Sequence, residues 1–525
     1  MPAIVTDQFR ILNASNFVAG VSSSTNSYFV SLGLPNPQPA SVGFGRANNW
    51  NTATPNPVDS FSEVDHIGDT TQFGKRVTDT NVRRLVRRIN WTKGVKYDMY
   101  RQDYSTSNTA PNSNATRLYD ANYYVINSNF NVYVCIENGS SGINTTGNAS
   151  EDEPAFTDLE PSKAGNSGDG YVWKYLFTVS PSDIIKFDST EYITVPNGWA
   201  TSTDSQIRNI RENGDSSVNN NQIKHVYIEN AGGKYADGLG QEVKILGDGV
   251  DGKARVDIVS GVIKDVTVSS GGKDYSYALI DLGALQDTQH PSNQRAKLVP
   301  IIPPSLGHGY DIYTELGTDK VLIYARFDDS TKDFPTDTKF AQVGIVKNPT
   351  QIGTANTFTG TTFSSLSAFK FKNVTGTPTI GEEITQDVTD SNGDVQKASA
   401  YVASYDKETQ VMKYFRDRSL NYTTTNDQTD YAGISTSGQI YSFESTANAI
   451  KGVSSTFSGT IDSEFSGIST NPSGTKLINL ETTFNKGLSQ PEINKGSGEI
   501  VYLDNRPSIA RNTRQKEDVK IILEF

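Results

Sequence analysis

A chain of 525 residues exceeds a single hydrophobic core, and domains of about 100–200 residues imply three or so units. Hydrophobic residues make up 35%, or about 43% with the 44 glycines counted, close to the roughly 45–50% of globular chains. The 25 Tyr and 23 Phe against 3 Met favour sheets over packed helices, and a net charge of −12 argues against nucleic acid as a partner.

Cys135 is the single cysteine, so no intrachain disulfide framework exists, which fits folding in a reducing cytoplasm. It lies in the strand-like run Val132-Tyr133-Val134-Cys135-Ile136 and reads as a buried, inert thiol. The first residues, Met1-Pro2-Ala3-Ile4-Val5, lack the charged and apolar regions of a signal peptide. No apolar run approaches the ~20 residues needed to span a bilayer. The expectation is a protein that leaves its cell by lysis or within a particle.

Residues 1–214 mix short β-like runs, at 28–32, 123–126 and 131–136, with loops rich in Asn, Ser, Thr and Pro. One segment has helical spacing. Thr78 to Thr80 offer caps, Val82, Leu85, Val86 and Ile89 recur on one face, and Arg83, Arg84, Arg87 and Arg88 take the other. Further on, Gly168-Asp169-Gly170 reads as a turn. The next seven residues, YVWKYLF, read as a buried strand closed by Pro181.

Residues 215–300 hold an internal repeat. HVYIENAGGKY at 225–235 returns as DVTVSSGGKDY at 265–275, each copy alternating apolar and polar residues before a Gly-Gly turn and a final Tyr. Between them lie Gly247-Asp248-Gly249-Val250-Asp251-Gly252 and the alternating Ala254, Val256 and Ile258, a series of hairpins. Two copies suit one compact β-unit better than a solenoid, which needs about three repeats. Residues 301–350 read as two strands, at 321–325 and 343–346, after a turn-rich lead-in. Residues 351–490 are polar, with β-like runs at 369–371, 380–384 and 400–405 and flexible loops expected around 416–475. The chain closes with Val501-Tyr502-Leu503, a bend at Asn505-Arg506-Pro507, and a strand at 519–523.

Few residues stand in patterns that carry chemistry. Gly165-Asn166-Ser167-Gly168 superficially resembles a serine nucleophile loop, but none of the four histidines, His66, His225, His290 and His308, sits in a partner motif. Gly142 and Gly147 have P-loop spacing, yet Asn148 stands where the phosphate-binding Lys belongs. No histidine pair has zinc spacing. The acidic turns Asp248–Asp251 and Asp390–Asp394 lack the distal bidentate Glu of a calcium loop and read as β-turns. The expectation is no catalytic residue, no cofactor and no metal. The four arginines form the strongest basic patch. With no interleaved aromatics, they suit a solvated face or ion pairs to an acidic neighbouring subunit.

Several fragments, in order, resemble one family. They are Phe44-Gly45-Arg46 with Trp50, Arg87-Arg88 with Trp91, GDGYVWKYLF at 168–177 with EYITVP at 191–196, FAQVGIVKNP at 340–349, and GEIVYLDNRP at 498–507 followed by the last strand at 519–525. This wording is similar to the baseplate wedge subunit family of T-even-like contractile-tailed phages, the gene-eight product. Residues 1–214, 301–350 and 491–525 carry the resemblance.

The resemblance implies a mainly β fold: a discontinuous β-sandwich or barrel-like core with two inserted small β-domains and few helices. The expected divisions are core at 1–214, a glycine-rich β-repeat insertion at 215–300, core at 301–350, a second inserted β-domain at 351–490, and core strands at 491–525. It implies a non-enzymatic virion subunit of the tail baseplate, assembled in the host cytoplasm as a homodimer contacting other wedge proteins. Gly168, Asp169, Gly170, Trp173, Asn505, Arg506 and Pro507 are its candidate structural signature, and Arg83, Arg84, Arg87 and Arg88 its candidate subunit interface. The alternative is a tail-associated protein that binds or cleaves host glycan, which requires two carboxylates about 5–10 Å apart in an aromatic groove.

Overall fold

Runs of β-branched and aromatic residues closed by glycine turns become strands along most of the chain. The computed structural model describes residues 5–33, 50–57, 59, 61–214, 222–285, 294–328, 339–416, 441–510 and 516–525. Among them are 28 strands and five α-helices, so the fold is mainly β. The chain divides into two discontinuous units. Unit 1 comprises Met1–Val18, Arg83–Leu322 and Ile521–Phe525, and unit 2 comprises Ala19–Val82 and Ile323–Lys520.

The heart of unit 1 is an antiparallel sheet ordered Tyr124–Ile126, Asn131–Asn138, Tyr171–Thr178 and Ser162–Lys163. Its central strands are apolar on both faces, as burial on both sides demands. Trp173 is fully buried, as are Tyr123, Tyr133 and Cys135. Tyr171 and Trp173, two residues apart and so on one face, stack at 5.3 Å between ring centroids. The expected turn is present, with Gly168 at φ 75° and Gly170 at φ 84°. The Asp169 carboxylate accepts the N–H groups of Tyr171 at 3.0 Å and Glu151 at 2.9 Å. After the strand, Ser180 caps the helix Pro181–Phe187 by accepting from the Asp183 N–H, with Pro181 in the first turn.

The expected helix at 78–89 is instead a 3-10 turn, Asp79–Asn81, leading into the strand Val82–Arg87, which pairs with Tyr192–Val195. The apolar spacing that suggests a helix arises because this strand is covered on both faces. Val82, Arg84, Leu85 and Val86 are all buried, and a two-sided strand has no period of two to read. Tertiary packing overrides the local pattern.

Residues 222–300 form two sheets. Val226–Asn230 pairs with Lys297–Pro300, and Gly238–Gly247, Val250–Val259, Val262–Lys273 and Ala278–Ile280 form a four-stranded sheet. Val243, Ile245, Val256, Ile258 and Ile263 build a separate apolar cluster beneath them. The two repeat copies differ in outcome. Gly232 and Gly233 leave the first strand, whereas Gly271 and Gly272 continue within Val262–Lys273, so the second Gly-Gly is no turn. Both terminal tyrosines are buried and hydrogen-bonded. Tyr235 Oη accepts from Ala296 N–H at 2.7 Å, and Tyr275 Oη donates to the Ile245 carbonyl at 3.0 Å.

Unit 2 contains a five-stranded sheet ordered Thr362–Ser364, Thr71–Val77, Tyr28–Gly33, Lys339–Lys347 and Glu499–Ala510, with Tyr28–Gly33 buried along its whole length. The expected bend at Asn505-Arg506-Pro507 is absent as a chain break. Glu499–Ala510 runs through it, and a register shift opposite Phe340 and Gln342 absorbs the extra residues. Proline is tolerated there because this is an edge strand. Unit 2 also holds a closed barrel. Ser367–Thr375 pairs with both Val411–Phe415 and Ser458–Ile461, completing a ring through Ile450–Gly452, Glu383–Thr389 and Val395–Asp406. Phe369, Phe371, Phe457 and Met412 fill it. The loops expected at 416–475 are thus partly strands, at 450–452, 458–461 and 467–470. Residues 417–440 and the Phe44-Gly45-Arg46 motif lie outside the described residues.

Truncating Trp173→Ala should cost about 3–5 kcal/mol, the usual range for a buried aromatic, measured by denaturant unfolding. Trp173→Phe should cost much less, because the buried indole Nε1 has no acceptor, so its loss breaks no hydrogen bond. Gly170→Ala should cost at least about 2 kcal/mol through its positive φ and a Cβ that would lie 2.7 Å from the Gly139 Cα.

Candidate functional site

The signature turn is a tight node of backbone and tyrosine hydroxyls. Gly139 and Gly170 approach so closely that a Cβ on either would collide with backbone atoms. Asn148 Nδ2 donates to the Asp169 carbonyl at 2.8 Å, and Tyr171 Oη donates to the Asn148 carbonyl at 2.9 Å. The Tyr97 N–H donates to Tyr171 Oη at 2.9 Å. Gly168, Asp169, Gly170 and Trp173 are thereby brought together. In unit 2, Asn505 accepts from Gln342 Nε2 at 2.8 Å and donates to the Pro55 carbonyl at 3.1 Å. Arg506 pairs with Asp504 at 2.7 Å, and its carbonyl accepts from Trp50 Nε1 at 2.7 Å. Pro507 follows on the same edge strand.

The four arginines do not share one face. Arg83 pairs with Asp183 at 3.0 Å beside the Phe187 ring, and Arg88 pairs with Asp188 at 2.7 Å. Arg84 is buried, its guanidinium 3.7 Å from the Tyr313 ring centroid, and burial pulls its pKa down. Reversing the charge at 83, 84 or 88 would therefore oppose an internal carboxylate or bury a lone anion. Arg87 alone is exposed at its guanidinium. Nη2 donates to the carbonyls of Asp120 at 3.0 Å and Ala121 at 3.1 Å, and the side chain lines a cleft of about 300 Å³ with Arg117, Tyr119, Tyr124, Glu191 and Tyr192.

The structure brings together ionisable groups that no sequence motif marked. Glu315 is almost wholly buried. Its carboxylate meets His308 Nδ1 at 2.7 Å and accepts from the Gly309 N–H at 2.7 Å. Lys174, buried in the signature strand, donates to the Leu159 carbonyl, and burial pulls its pKa down to about 8. Glu137 faces His225 at 3.7 Å. Burial, reinforced by Asp265, pushes the Glu137 carboxyl up to about 7. Burial, aided by Arg101, pulls His225 down to about 4.

His225 and His308 thus each face a carboxylate, and the Cys135 thiol, pushed up by burial, donates to the Glu137 carbonyl at 3.3 Å. Ser167 lies in a turn where its N–H donates to Asp152 at 2.7 Å. The carboxylates of the acidic turns serve the fold: Asp248 accepts from the N–H groups of Ser276 and Tyr277 in a different loop, and Asp390 closes its own turn by accepting from the Asn392 and Asp394 N–H groups. Among the described residues no group of three or more His, Cys, Asp or Glu side chains converges as a metal-ligand set.

The sheet that carries the signature is also where this chain matches known proteins. Residues 134–232, from within Asn131–Asn138 through Tyr171–Thr178 to the end of Val226–Asn230, match the family model of bacteriophage T4 Gp8. Over this stretch the chain resembles the gp8-like baseplate wedge family. The baseplate wedge protein gp8 of Enterobacteria phage T4 is 26% identical to it over 219 residues, 37% of this chain and 60% of the relative. The matched stretch thus spans less than two thirds of that relative, and the family match continues past residue 214, the expected insertion boundary, to residue 232.

Glu137 and His225 titrate in opposite senses. The raised Glu137 pKa means stability falls as pH climbs from about 4.5 to about 7, while the depressed His225 pKa means stability rises from about pH 4 to about 6.5. Glu137→Gln removes the first effect and keeps the second. The gain in unfolding free energy from pH 5 to pH 8 should then exceed that of the wild type by on the order of 1 kcal/mol. Solvent screening limits it, because the Glu137 side chain is 32% exposed. Identical profiles in urea titrations at the two pH values would sink this assignment.

Proposed function

We propose that this chain is a structural subunit of a contractile-tail baseplate wedge, assembled in the host cytoplasm and retained in the virion. It acts by subunit contact without turnover or cofactor, as a homodimer that meets other wedge proteins. The observation that carries this reading is the Gp8 family match over residues 134–232, which falls on the most deeply buried sheet of unit 1. The internal pairing of His308 with Glu315, and of Arg83 and Arg88 with aspartates, is consistent with a scaffold whose charges serve its own packing. Blocks 215–300 and 351–490 are read as modules inserted into a wedge-like core, since each has an apolar cluster of its own.

Imaging of intact particles should locate density for both units in the baseplate. Purified chain should scatter light as twice its 57.2 kDa mass, and a monomer at micromolar concentration would remove the homodimer from the proposal. Depolymerisation of host surface glycan by the purified protein, together with normal tails in its absence, would overturn the assembly reading in favour of a glycan-active one.

A further inference from the structure

Most charges on the wall of the unit 1 cleft are already paired. Arg117 bonds Asp7 and Asp120, each at 2.9 Å, and Lys320 bonds Asp319 at 3.0 Å and Glu524 at 2.9 Å. Two charged side chains of the lining are left over, Arg87 and Glu191, and neither has an ion-pair partner among the described residues. Arg87 is not loose. Its Nη2 is fixed on the carbonyls of Asp120 and Ala121, and its backbone carbonyl accepts from Tyr124 Oη at 2.7 Å. The guanidinium also interacts with the Tyr124 hydroxyl, so its direction is already set. An arginine held in this way loses little rotamer freedom on accepting a carboxylate, and charge-assisted bonds of that kind are the strong ones. Tyr119 and Tyr192, both half-buried, supply aromatic surface around it, the composition of an interface hot spot.

We propose that this cleft is the docking slot for a protruding segment of a neighbouring protein subunit, whose acidic side chain pairs with Arg87 and whose basic side chain pairs with Glu191. The inference rests on the assembly reading above and names one surface that would serve it. A volume of about 300 Å³ suits two or three side chains of a loop. A concave slot is not filled by the same concave slot of a second copy, so the occupant is a protruding segment of a different chain.

The test places a photo-crosslinking benzoylphenylalanine at Tyr192 in the full-length chain, incorporated into particles, and identifies the captured peptide by mass spectrometry. The expected peptide comes from another tail protein and contains Asp or Glu. Arg87→Glu and Glu191→Lys should each lower the copies of this chain per particle at least tenfold. Thermal melting of the isolated protein should stay unchanged, and an acid-to-Lys change in the captured peptide should restore Arg87→Glu. Should Arg87→Glu itself melt early, Glu191→Lys, which removes no internal bond, carries the test alone. Incorporation of both variants within twofold of wild type, or capture of a peptide from a second copy of this chain, would overturn the slot while leaving the assembly reading intact. Absence of the wild-type chain from tails would overturn both.

Discussion

The close approach of Gly139 to Gly170 is the constraint on which unit 1 depends. Only two residues without Cβ atoms let the turn before Tyr171–Thr178 settle against the end of Asn131–Asn138. That contact places the Tyr171 hydroxyl between the Tyr97 N–H and the Asn148 carbonyl. Backbone groups that a loop would otherwise leave unpaired inside the protein are satisfied by a side chain whose own position is fixed by the strand. Trp173 then stacks on Tyr171 with its edge toward Tyr97, at 5.8 Å between ring centroids. The aromatic wealth noted in the composition is spent on joining loops to sheet, where a tyrosine offers both apolar area and a polar tip.

A second theme is that charge is taken inside and matched there. Arg101 is buried, bonds Asp103 in a bidentate pair at 2.9 and 2.7 Å, and lies 4.0 Å from the Tyr227 ring centroid. Glu315 with His308, and Arg83 with Asp183, follow the same rule. Buried pairs of this kind add little net stability, but losing one partner is costly, so they specify the arrangement more than they strengthen it. Against that background Arg87 and Glu191, which have no ion-pair partner among the described residues, stand apart from their surroundings.

Much of the fold was legible in the sequence where the chain is locally consistent. The turn and strand at 168–177 follow from glycine, aspartate and an unbroken apolar run, and the hairpins at 238–273 follow from alternation. The barrel was not legible, because its closure is the pairing of Ser367–Thr375 with strands on two sides, a long-range fact with no local trace. The helix Asp7–Ser22 did carry a signal, Ile11, Ala14, Val18 and Val21 on one buried face, diluted by Asn and Ser between them. At Val82–Arg87 the period misled, since a doubly covered strand with arginines under aromatic rings mimics an amphipathic helix. The His308 and Glu315 pairing spans the helix Ile312–Leu316 and its preceding loop, a geometry that no spacing rule encodes.

The division of the chain has a kinetic side. Unit 1 takes residues 83–322 and then only Ile521–Phe525, yet those last residues bring Phe525 to 5.8 Å from Phe17 and Glu524 to Lys320. On a ribosome adding about 5–20 residues per second, the roughly 200 residues that intervene take on the order of 10–40 s to make. For that interval unit 1 waits with one edge unfinished, and a chaperone or an early partner has time to reach it before Ile521–Phe525 are made.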